Sequence, residues 1–221
     1  MLEYTTYKDV INKYKENINQ LNGSDLYLHV KENKRFKESE TIIFLDIDGV
    51  LNGSGNPLHF IQDTLYKEFI KKYDKKFWVD VIPEHLYSLS VISKTLKADI
   101  VISSTWRFRG ADKIRVLFND IYGYDFNILG ITPRRYTLDV PEDFCCRRGD
   151  EIRLWLDLYP QYKDKKILIL DDDTDMKEYI KYLYKTNVYV GLNCDLIQDV
   201  LRFMGITKIP KFDYKEIKYF K

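Results

Sequence analysis

The amino-acid sequence predicts an α/β fold built on a doubly wound parallel sheet. Short apolar runs, typical of strands buried on both faces, alternate along the chain with segments of helical spacing. Three of these runs end in polar clusters, as expected where parallel strands stop at one edge of a sheet. With 221 residues, 45% of them hydrophobic, the chain can bury the core of one sizeable domain and still carry an appendage.

The predicted elements follow one another in a regular order. Strands are predicted over residues 41–46, 98–102, 127–131, 166–170 and 187–190. Helices are predicted over residues 63–73, 83–97, 110–122, 149–158 and 194–204. Pro83 suits the first turn of its helix. Before the first strand, apolar side chains at helical spacing predict a helical appendage: Val10, Ile11, Tyr14, Ile18 and Leu21.

Two carboxylates, Asp46 and Asp48, lie at the end of the first predicted strand, where the buried apolar run should end. Strand residues two apart point to the same side, so these carboxylates could face one site if the chain stays extended. Gly49 then lets the backbone turn sharply or lie close to a ligand. A plain polar turn uses the same residue types, so this segment alone leaves both interpretations open.

Two further strand ends carry chemistry of the same kind. The hydroxyl run 103–105 follows the second strand, and the acidic run 171–175 follows the fourth. Arg148 lies at the start of the preceding helix, and all these groups can converge on one edge of a parallel sheet. Crowded carboxylates repel one another unless a cation lies among them, and hard oxygen ligands suit Mg²⁺. A metal ion and a guanidinium together suit a phosphoryl group whose charge must be neutralised during transfer.

These residues resemble the motifs of the haloacid dehalogenase (HAD) superfamily. Asp46-Ile47-Asp48-Gly49-Val50 resembles motif I, Ile100-Val101-Ile102-Ser103 motif II, Arg148 the basic residue of motif III, and the run 171–175 the acidic motif IV. A narrower set of segments resembles the HAD domain of Swiss Army Knife RNA repair proteins: LDIDGVLN, VISSTWR, ILGITP, RGDEIRLWL and LILDDDTDM.

The resemblance implies a Rossmann-like sheet and a division of the chain into three parts. It covers residues 41–204, which we expect to form the HAD-like catalytic domain. Residues 1–40 are then the N-terminal helical appendage and residues 205–221 a C-terminal tail. The lengths between motifs leave too few residues for a large helical cap, so we expect a minimal cap.

The resemblance implies phosphatase chemistry at four residues. Asp46 is the expected nucleophile, and Asp48 the general acid and base, with phosphatase favoured over dehalogenase chemistry because an alcohol leaving group needs a proton. Ser103 is expected to bind the transferred phosphoryl oxygens, unless it only caps a helix. Arg148 is expected to steady Asp46 and the phosphoryl charge, with its neighbour Arg147 as the alternative.

The resemblance also implies a Mg²⁺ site. Asp46 and Asp48 are expected ligands, Asp48 through its backbone carbonyl. Asp171 is the expected third ligand, with Asp172 or Asp175 helping, and the crowded acidic run leaves open which of Asp172, Asp173 and Asp175 assists the metal.

Three more residues are candidates for substrate binding. Ser104 could contact substrate or act as a helix cap. Arg107 could bind substrate or pair with a carboxylate instead. Arg134, together with Arg135, could form a phosphate-binding pair or a solvated loop.

The expected function is a phosphomonoester hydrolase that acts on a phosphorylated substrate, including the ends of RNA or DNA. An open site with little cap admits such large substrates. Two alternatives stay open: a small-molecule phosphatase acting on nucleotides or sugar phosphates, and a non-catalytic binding protein with a HAD fold. The intact acidic motifs argue against the last of these.

Composition sets limits on partners and location. The 35 basic and 34 acidic residues nearly cancel, so whole-chain charge argues neither for nor against nucleic acid. Cys145, Cys146 and Cys194 have no metal-binding spacing, which fits a reducing cytoplasm. Neither an apolar run long enough to cross a bilayer nor a secretory signal is recognised in the sequence, so no membrane partner is expected. The sequence leaves the oligomeric state open.

Overall fold

A computed structural model describes residues 39–52, 81–133 and 147–218 of the protein. Five strands form its sheet: β1 (Thr41–Leu45), β2 (Ala98–Ile102), β3 (Ile128–Ile131), β4 (Lys166–Asp171) and β5 (Leu183–Lys185). All neighbouring strands are parallel, and their order across the sheet is β3-β2-β1-β4-β5. The predicted α/β class with a parallel sheet is therefore confirmed.

Helices cover both faces of this sheet. The α-helices are α1 (Pro83–Thr95), α2 (Ala111–Arg115), α3 (Arg148–Leu158) and α4 (Ile197–Phe203), and α2 continues as a π-helix over Val116–Ile121. Shorter 3₁₀-helices lie at Thr105–Arg109, Pro160–Tyr162, Lys177–Tyr182, Cys194–Leu196 and Tyr214–Glu216. Within the described ranges, no helix is both long enough and apolar enough to cross a membrane.

Alternating residues of β1 build two separate hydrophobic cores, one on each face. Ile43 and Leu45 pack with side chains of α1, α2 and α4. Ile42 and Phe44 pack with the apolar face of α3, where the ring of Trp155 meets Phe44 edge-on at 5.5 Å between centroids. A strand buried on both sides needs this unbroken apolar run, which is the signal that the sequence carried.

The register of the central strands sets the position of the polar residues. Leu45 at the end of β1 pairs with Ile102 of β2 on one side and Leu170 of β4 on the other. The next residue of each strand, Asp46, Ser103 or Asp171, therefore lies at the same level on the carboxyl edge. Backbone hydrogen bonds continue there, since the Asp46 N–H donates to the Leu170 carbonyl at 2.9 Å.

The last strand lies earlier in the chain than the sequence predicts. We expected it over residues 187–190, but β5 covers Leu183–Lys185 and residues 188–190 form a turn. The Asn187 carbonyl accepts hydrogen bonds from the N–H groups of Val190 and Gly191, and its side-chain oxygen accepts one from Tyr189. The turn-forming chemistry of Asn187 thus outweighs the strand preference of the valines beside it.

Several predictions concern residues outside the described ranges. These are the appendage up to residue 38, the helix over residues 63–73, and most of the segments in which a minimal cap would lie. The described end of α1 is two residues shorter than predicted, because Leu96 is its C-cap and Lys97 follows with a φ of 47°.

Candidate active site

Three carboxylates meet at the carboxyl edge of the central strands. Asp46, Asp171 and Asp172 each offer an oxygen atom, and these atoms all lie within 4.8 Å of one another. Asp46 is 5% exposed, Asp171 is fully buried and Asp172 is half-buried. The other two acidic residues of the run differ: Asp173 is exposed, whereas a carboxylate oxygen of Asp175 accepts a hydrogen bond from the Arg148 N–H at 3.0 Å.

Arg148, the first residue of α3, spans two of these carboxylates. Its guanidinium lies 3.2 Å from Oδ2 of Asp46 and 3.2 Å from Oδ2 of Asp171. The start of α3 lies so close to the loop after β4 that a Cβ on Gly149 would collide with the backbone of Met176. The absent side chain at Gly149 is therefore what lets α3 bring Arg148 into the cluster.

Burial and nearby charges shift the pKa values of this cluster. Burial raises the pKa of Asp46, although Arg148 and a hydrogen bond from Ser104 oppose the shift. Burial and the nearby Asp46 raise the pKa of Asp171 to about 7, against the opposing effect of Arg148. Burial lowers the pKa of Arg148, but Asp46 and Asp171 outweigh it and raise that pKa.

The donor set fits a divalent metal ion. Three converging carboxylates supply hard oxygen ligands, and Arg148 alone leaves them with excess negative charge. Burial, with a smaller effect of nearby negative charge, raises the pKa of Asp46 and Asp171, and a bound cation would oppose both effects by favouring the ionised carboxylates.

Asp48 stands apart from the carboxylate cluster. Its side chain is exposed and accepts hydrogen bonds from Asn52 Nδ2 at 2.8 Å, Trp106 Nε1 at 2.9 Å and Thr105 Oγ1 at 3.2 Å. Its carboxylate is not part of the metal cluster found among the described residues. The ligand role expected for Asp48 belongs to its backbone carbonyl and stays a prediction.

Gly49 allows the turn that separates Asp48 from the cluster. Its φ is +71°, and a Cβ there would lie 2.5 Å from Cγ of Asp172. Its N–H donates to Oδ1 of Asn52 at 2.9 Å, and its carbonyl accepts from the Thr186 hydroxyl at 2.8 Å. The turn is thus fixed from both sides and requires a residue without a side chain.

The two serines after β2 are both buried but have different surroundings. Oγ of Ser103 has no hydrogen-bond partner within the described part of the chain, which leaves it able to serve a ligand. Oγ of Ser104 accepts a hydrogen bond from the Trp106 N–H at 3.2 Å, so Ser104 caps the 3₁₀-helix that follows, as its alternative interpretation expected. Contact of either serine with substrate stays a prediction.

Arg107 pairs with a carboxylate, which was one of its two expected roles. Its guanidinium binds both carboxylate oxygens of Glu151 at 2.5 Å and donates to the Thr132 hydroxyl at 2.7 Å. Its contact with substrate is untested, and Arg134 lies outside the described residues.

The family model described as the HAD domain in Swiss Army Knife RNA repair proteins matches residues 42–196. The chain belongs to this family. No curated protein and no solved structure matches the chain. The suspected resemblance is confirmed, and the matched range of the HAD domain contains the whole carboxylate cluster.

Sequence reasoning missed two residues that support the site of this HAD domain. Asn52 holds both Asp48 and the N–H of Gly49, and its position four residues after Asp48, just past a glycine turn, is a usable signal. Glu151 holds Arg107, and its position three residues after Arg148 on α3 puts it on the same side of the helix.

Proposed function

We propose that this HAD domain is a Mg²⁺-dependent phosphomonoester hydrolase that works through an aspartyl-phosphate on Asp46, with terminal phosphates of RNA or DNA as substrates. The observation that supports it best is the convergence of Asp46, Asp171 and Asp172, with Arg148 between two of them. A fold alone does not require such a concentration of repelling charge.

The reaction proposed needs a nucleophile and a proton donor. A carboxylate oxygen of Asp46 attacks phosphorus, and the bond to the leaving oxygen breaks as Asp48 gives that oxygen a proton. Asp48 then takes a proton from the water molecule that attacks the phosphoryl group, which releases phosphate and restores Asp46. Arg148 and the Ser103 hydroxyl are proposed to hold the phosphoryl oxygens.

The metal ion would be held by Asp46, Asp171 and Asp172, with the carbonyl of Asp48 as a further ligand. When bound, Mg²⁺ supplies charge neutralisation for the phosphoryl group. Asp46 is then kept ionised and able to attack, because a neighbouring cation favours the charged form of a carboxyl group.

Nucleic-acid ends are proposed as substrates on two grounds. The matched family is described as a domain of RNA repair proteins. The sequence also leaves too few residues for a large cap, so a long substrate need not be enclosed.

The first test is phosphate release from a generic aryl phosphate with Mg²⁺. We expect activity in the wild type and a fall to background in Asp46→Asn, because the variant keeps the shape but loses the nucleophile. Asp164→Asn makes the same chemical change at an exposed carboxylate just before β4, on the opposite edge of the sheet, and should keep full activity. Equal rates in wild type and Asp46→Asn would rule out the aspartyl nucleophile.

The second test compares substrates. An oligonucleotide with a 3′- or 5′-phosphate should be hydrolysed at least about tenfold more efficiently, by kcat/KM, than mononucleotides and sugar phosphates. The opposite order would favour the small-molecule phosphatase. A wild type that neither hydrolyses any of these nor binds Mg²⁺ in calorimetry would indicate a non-catalytic binding protein.

A further inference from the structure

The exposed carboxylate of Asp48 is held unusually firmly for a surface side chain. Nε1 of Trp106 donates to Oδ1 at 2.9 Å, and the Thr105 hydroxyl donates to Oδ2 at 3.2 Å. Asn52 adds a second donor to Oδ1 at 2.8 Å. Both oxygens are engaged, so rotation about the side-chain bonds of Asp48 would break hydrogen bonds at each end.

We infer that Trp106, supported by Thr105, is a positioning residue that fixes the acid and base carboxylate of Asp48 over the reacting phosphoryl group. The inference rests on the proposed function. It assigns to these two residues a role in the protonation of the leaving group, and neither touches substrate or metal in that role.

Trp106 is suited to this role because its own position is fixed. Its side chain is 5% exposed, and its backbone N–H donates a hydrogen bond to the hydroxyl oxygen of Ser104, two residues earlier. The next residue, Arg107, is tied to Glu151 of α3 through two hydrogen bonds of 2.5 Å. The 3₁₀-helix that carries the indole is therefore anchored at its start and along its length.

Positioning matters most where proton transfer limits the rate. A carboxylic acid protonates a leaving oxygen only within hydrogen-bond reach, and small misplacements of a catalytic group reduce rates by about a hundredfold. An alkoxide leaving group depends on this proton, whereas a nitrophenolate leaves without it. Loss of positioning should therefore slow the first step, in which the leaving group departs, far more for an alkyl phosphate than for a nitrophenyl phosphate.

A purely structural role for Trp106 predicts something different. Trp106 belongs to the hydrophobic core on the α1 side of the sheet, and a change there could loosen the whole domain. Both substrates would then be affected alike, and thermal stability would fall in proportion.

The main experiment measures kcat and KM for an alkyl phosphate and for p-nitrophenyl phosphate in Trp106→Phe. We expect kcat/KM for the alkyl phosphate to fall between about tenfold and a hundredfold, with kcat/KM for p-nitrophenyl phosphate changed by less than about threefold. We compare kcat/KM because it reports the steps up to departure of the leaving group, whereas kcat also includes hydrolysis of the aspartyl-phosphate, in which Asp48 is the base for both substrates. Trp155→Phe is the matched control, since its buried indole N–H lacks a hydrogen-bond partner in the described ranges and lies in the other core. Trp155→Phe should not change the ratio of the kcat/KM values for the two substrates.

A second pair of variants decides the question if Trp106→Phe does not fold. Thr105 is exposed, so Thr105→Val removes the hydroxyl with little risk to folding. We expect a selective fall of about threefold or more for the alkyl phosphate, and recovery in Thr105→Ser, which restores the donor.

The outcomes separate this inference from the proposed function. A wild type that hydrolyses neither of these substrates nor a phosphorylated oligonucleotide would contradict the proposed function itself. An active wild type in which Trp106→Phe or Thr105→Val leaves the ratio of the two kcat/KM values unchanged would overturn only the positioning role.

Discussion

Asp171 should make metal binding depend on pH. Its pKa is raised to about 7 by burial and by Asp46, yet a metal ligand must be ionised. Below pH 7 the proton has to leave before the metal binds, so the apparent affinity should rise by up to about tenfold per pH unit and level off above pH 7. Calorimetry with Mg²⁺ at pH 6, 7 and 8, in two buffers of different ionisation enthalpy, would measure both the affinity and the released proton.

A matched pair of variants makes this prediction specific. Asp171→Asn should abolish the binding, whereas Asp173→Asn should keep both the binding and its pH dependence, because Asp173 is exposed and outside the cluster. An affinity that is constant from pH 6 to pH 8 would contradict the assignment of Asp171 as a ligand.

Gly49→Ala should damage the site more than the fold. The left-handed backbone, with φ of +71°, costs about 1–2 kcal/mol of stability for any residue with a Cβ. The new methyl group would in addition push against Asp172, so the Mg²⁺ affinity should fall by about tenfold or more. Urea unfolding and calorimetry on the same samples measure the two effects.

Gly205→Ala is the control for the backbone cost. Gly205 has a similar φ of +80°, but a Cβ there would meet nothing within 4 Å. It should lose a similar amount of stability and keep its Mg²⁺ affinity. Equal affinity in the two variants would mean that the close approach of Gly49 to Asp172 does not matter for binding.

The sequence could not decide which residue after Asp171 joins Asp46 and Asp171 in the carboxylate cluster. The positions of Asp46 and Asp171 at the carboxyl edge could be predicted, because both directly continue a buried apolar run. After Asp171 the chain leaves the sheet, and the N–H of Asp173 turns back to Oδ1 of Asp171 at 2.9 Å. That local turn directs Asp172 into the cluster and Asp173 into solvent, and no periodic pattern encodes it.

At the level of elements, the pair Arg107–Glu151 connects the segment after β2 to α3. Both side chains are close to 10% exposed, so a lone charge there would be poorly solvated. Glu151→Gln should cost about 3–5 kcal/mol of unfolding free energy, measured by urea denaturation, because it leaves Arg107 buried without its counter-charge. The double variant Arg107→Met with Glu151→Met should cost less than Glu151→Gln alone.

The exposed pair Lys97–Glu40 provides the comparison. Its two side chains are more than 60% exposed, so Glu40→Gln should leave the unfolding free energy almost unchanged. A cost for Glu151→Gln as small as this would show that the buried pair does not hold α3 in place.

The elements themselves were predicted with uneven success. Continuous apolar runs in the sequence predict buried strands such as β1 and β2, and Pro83 correctly predicted the start of α1. The strand predicted over residues 187–190 was wrong. Two valines within four residues favour a strand, whereas the hydrogen bonds of Asn187 that form the turn depend on three-dimensional geometry. A similar limit applies to the π-helix over Val116–Ile121, whose spacing differs little from that of an α-helix.

For the whole molecule, His85 should make stability decline in acid. It is 2% exposed, and burial lowers its pKa to about 4 from its ordinary value of 6.5. The unfolded chain therefore binds a proton at a higher pH than the folded one. The contribution of neutral His85 to the unfolding free energy is complete above pH 6.5 and is lost as the pH falls toward 4. It amounts to roughly 3 kcal/mol in total.

A comparison of wild type with His85→Gln isolates this effect. The loss of unfolding free energy between pH 7 and pH 4.5, from urea denaturation, should be smaller in the variant by about 2 kcal/mol or more. The buried carboxyl groups of Asp46 and Asp171 act in the opposite direction, since their raised pKa favours the folded state in acid. Identical pH profiles for the two proteins would contradict the role of His85.

The strand order has a consequence for the way the protein is made. β1 leaves the ribosome first, yet it lies between β2 and β4, and β4 is synthesised after all of β2 and β3. Until β4 arrives, one edge of β1 has no partner, and Asp46 has neither Asp171 nor Asp172 beside it. The carboxylate cluster therefore forms only once β4 has joined the sheet, so a metal ion that binds there would act late in folding and could not guide its early stages.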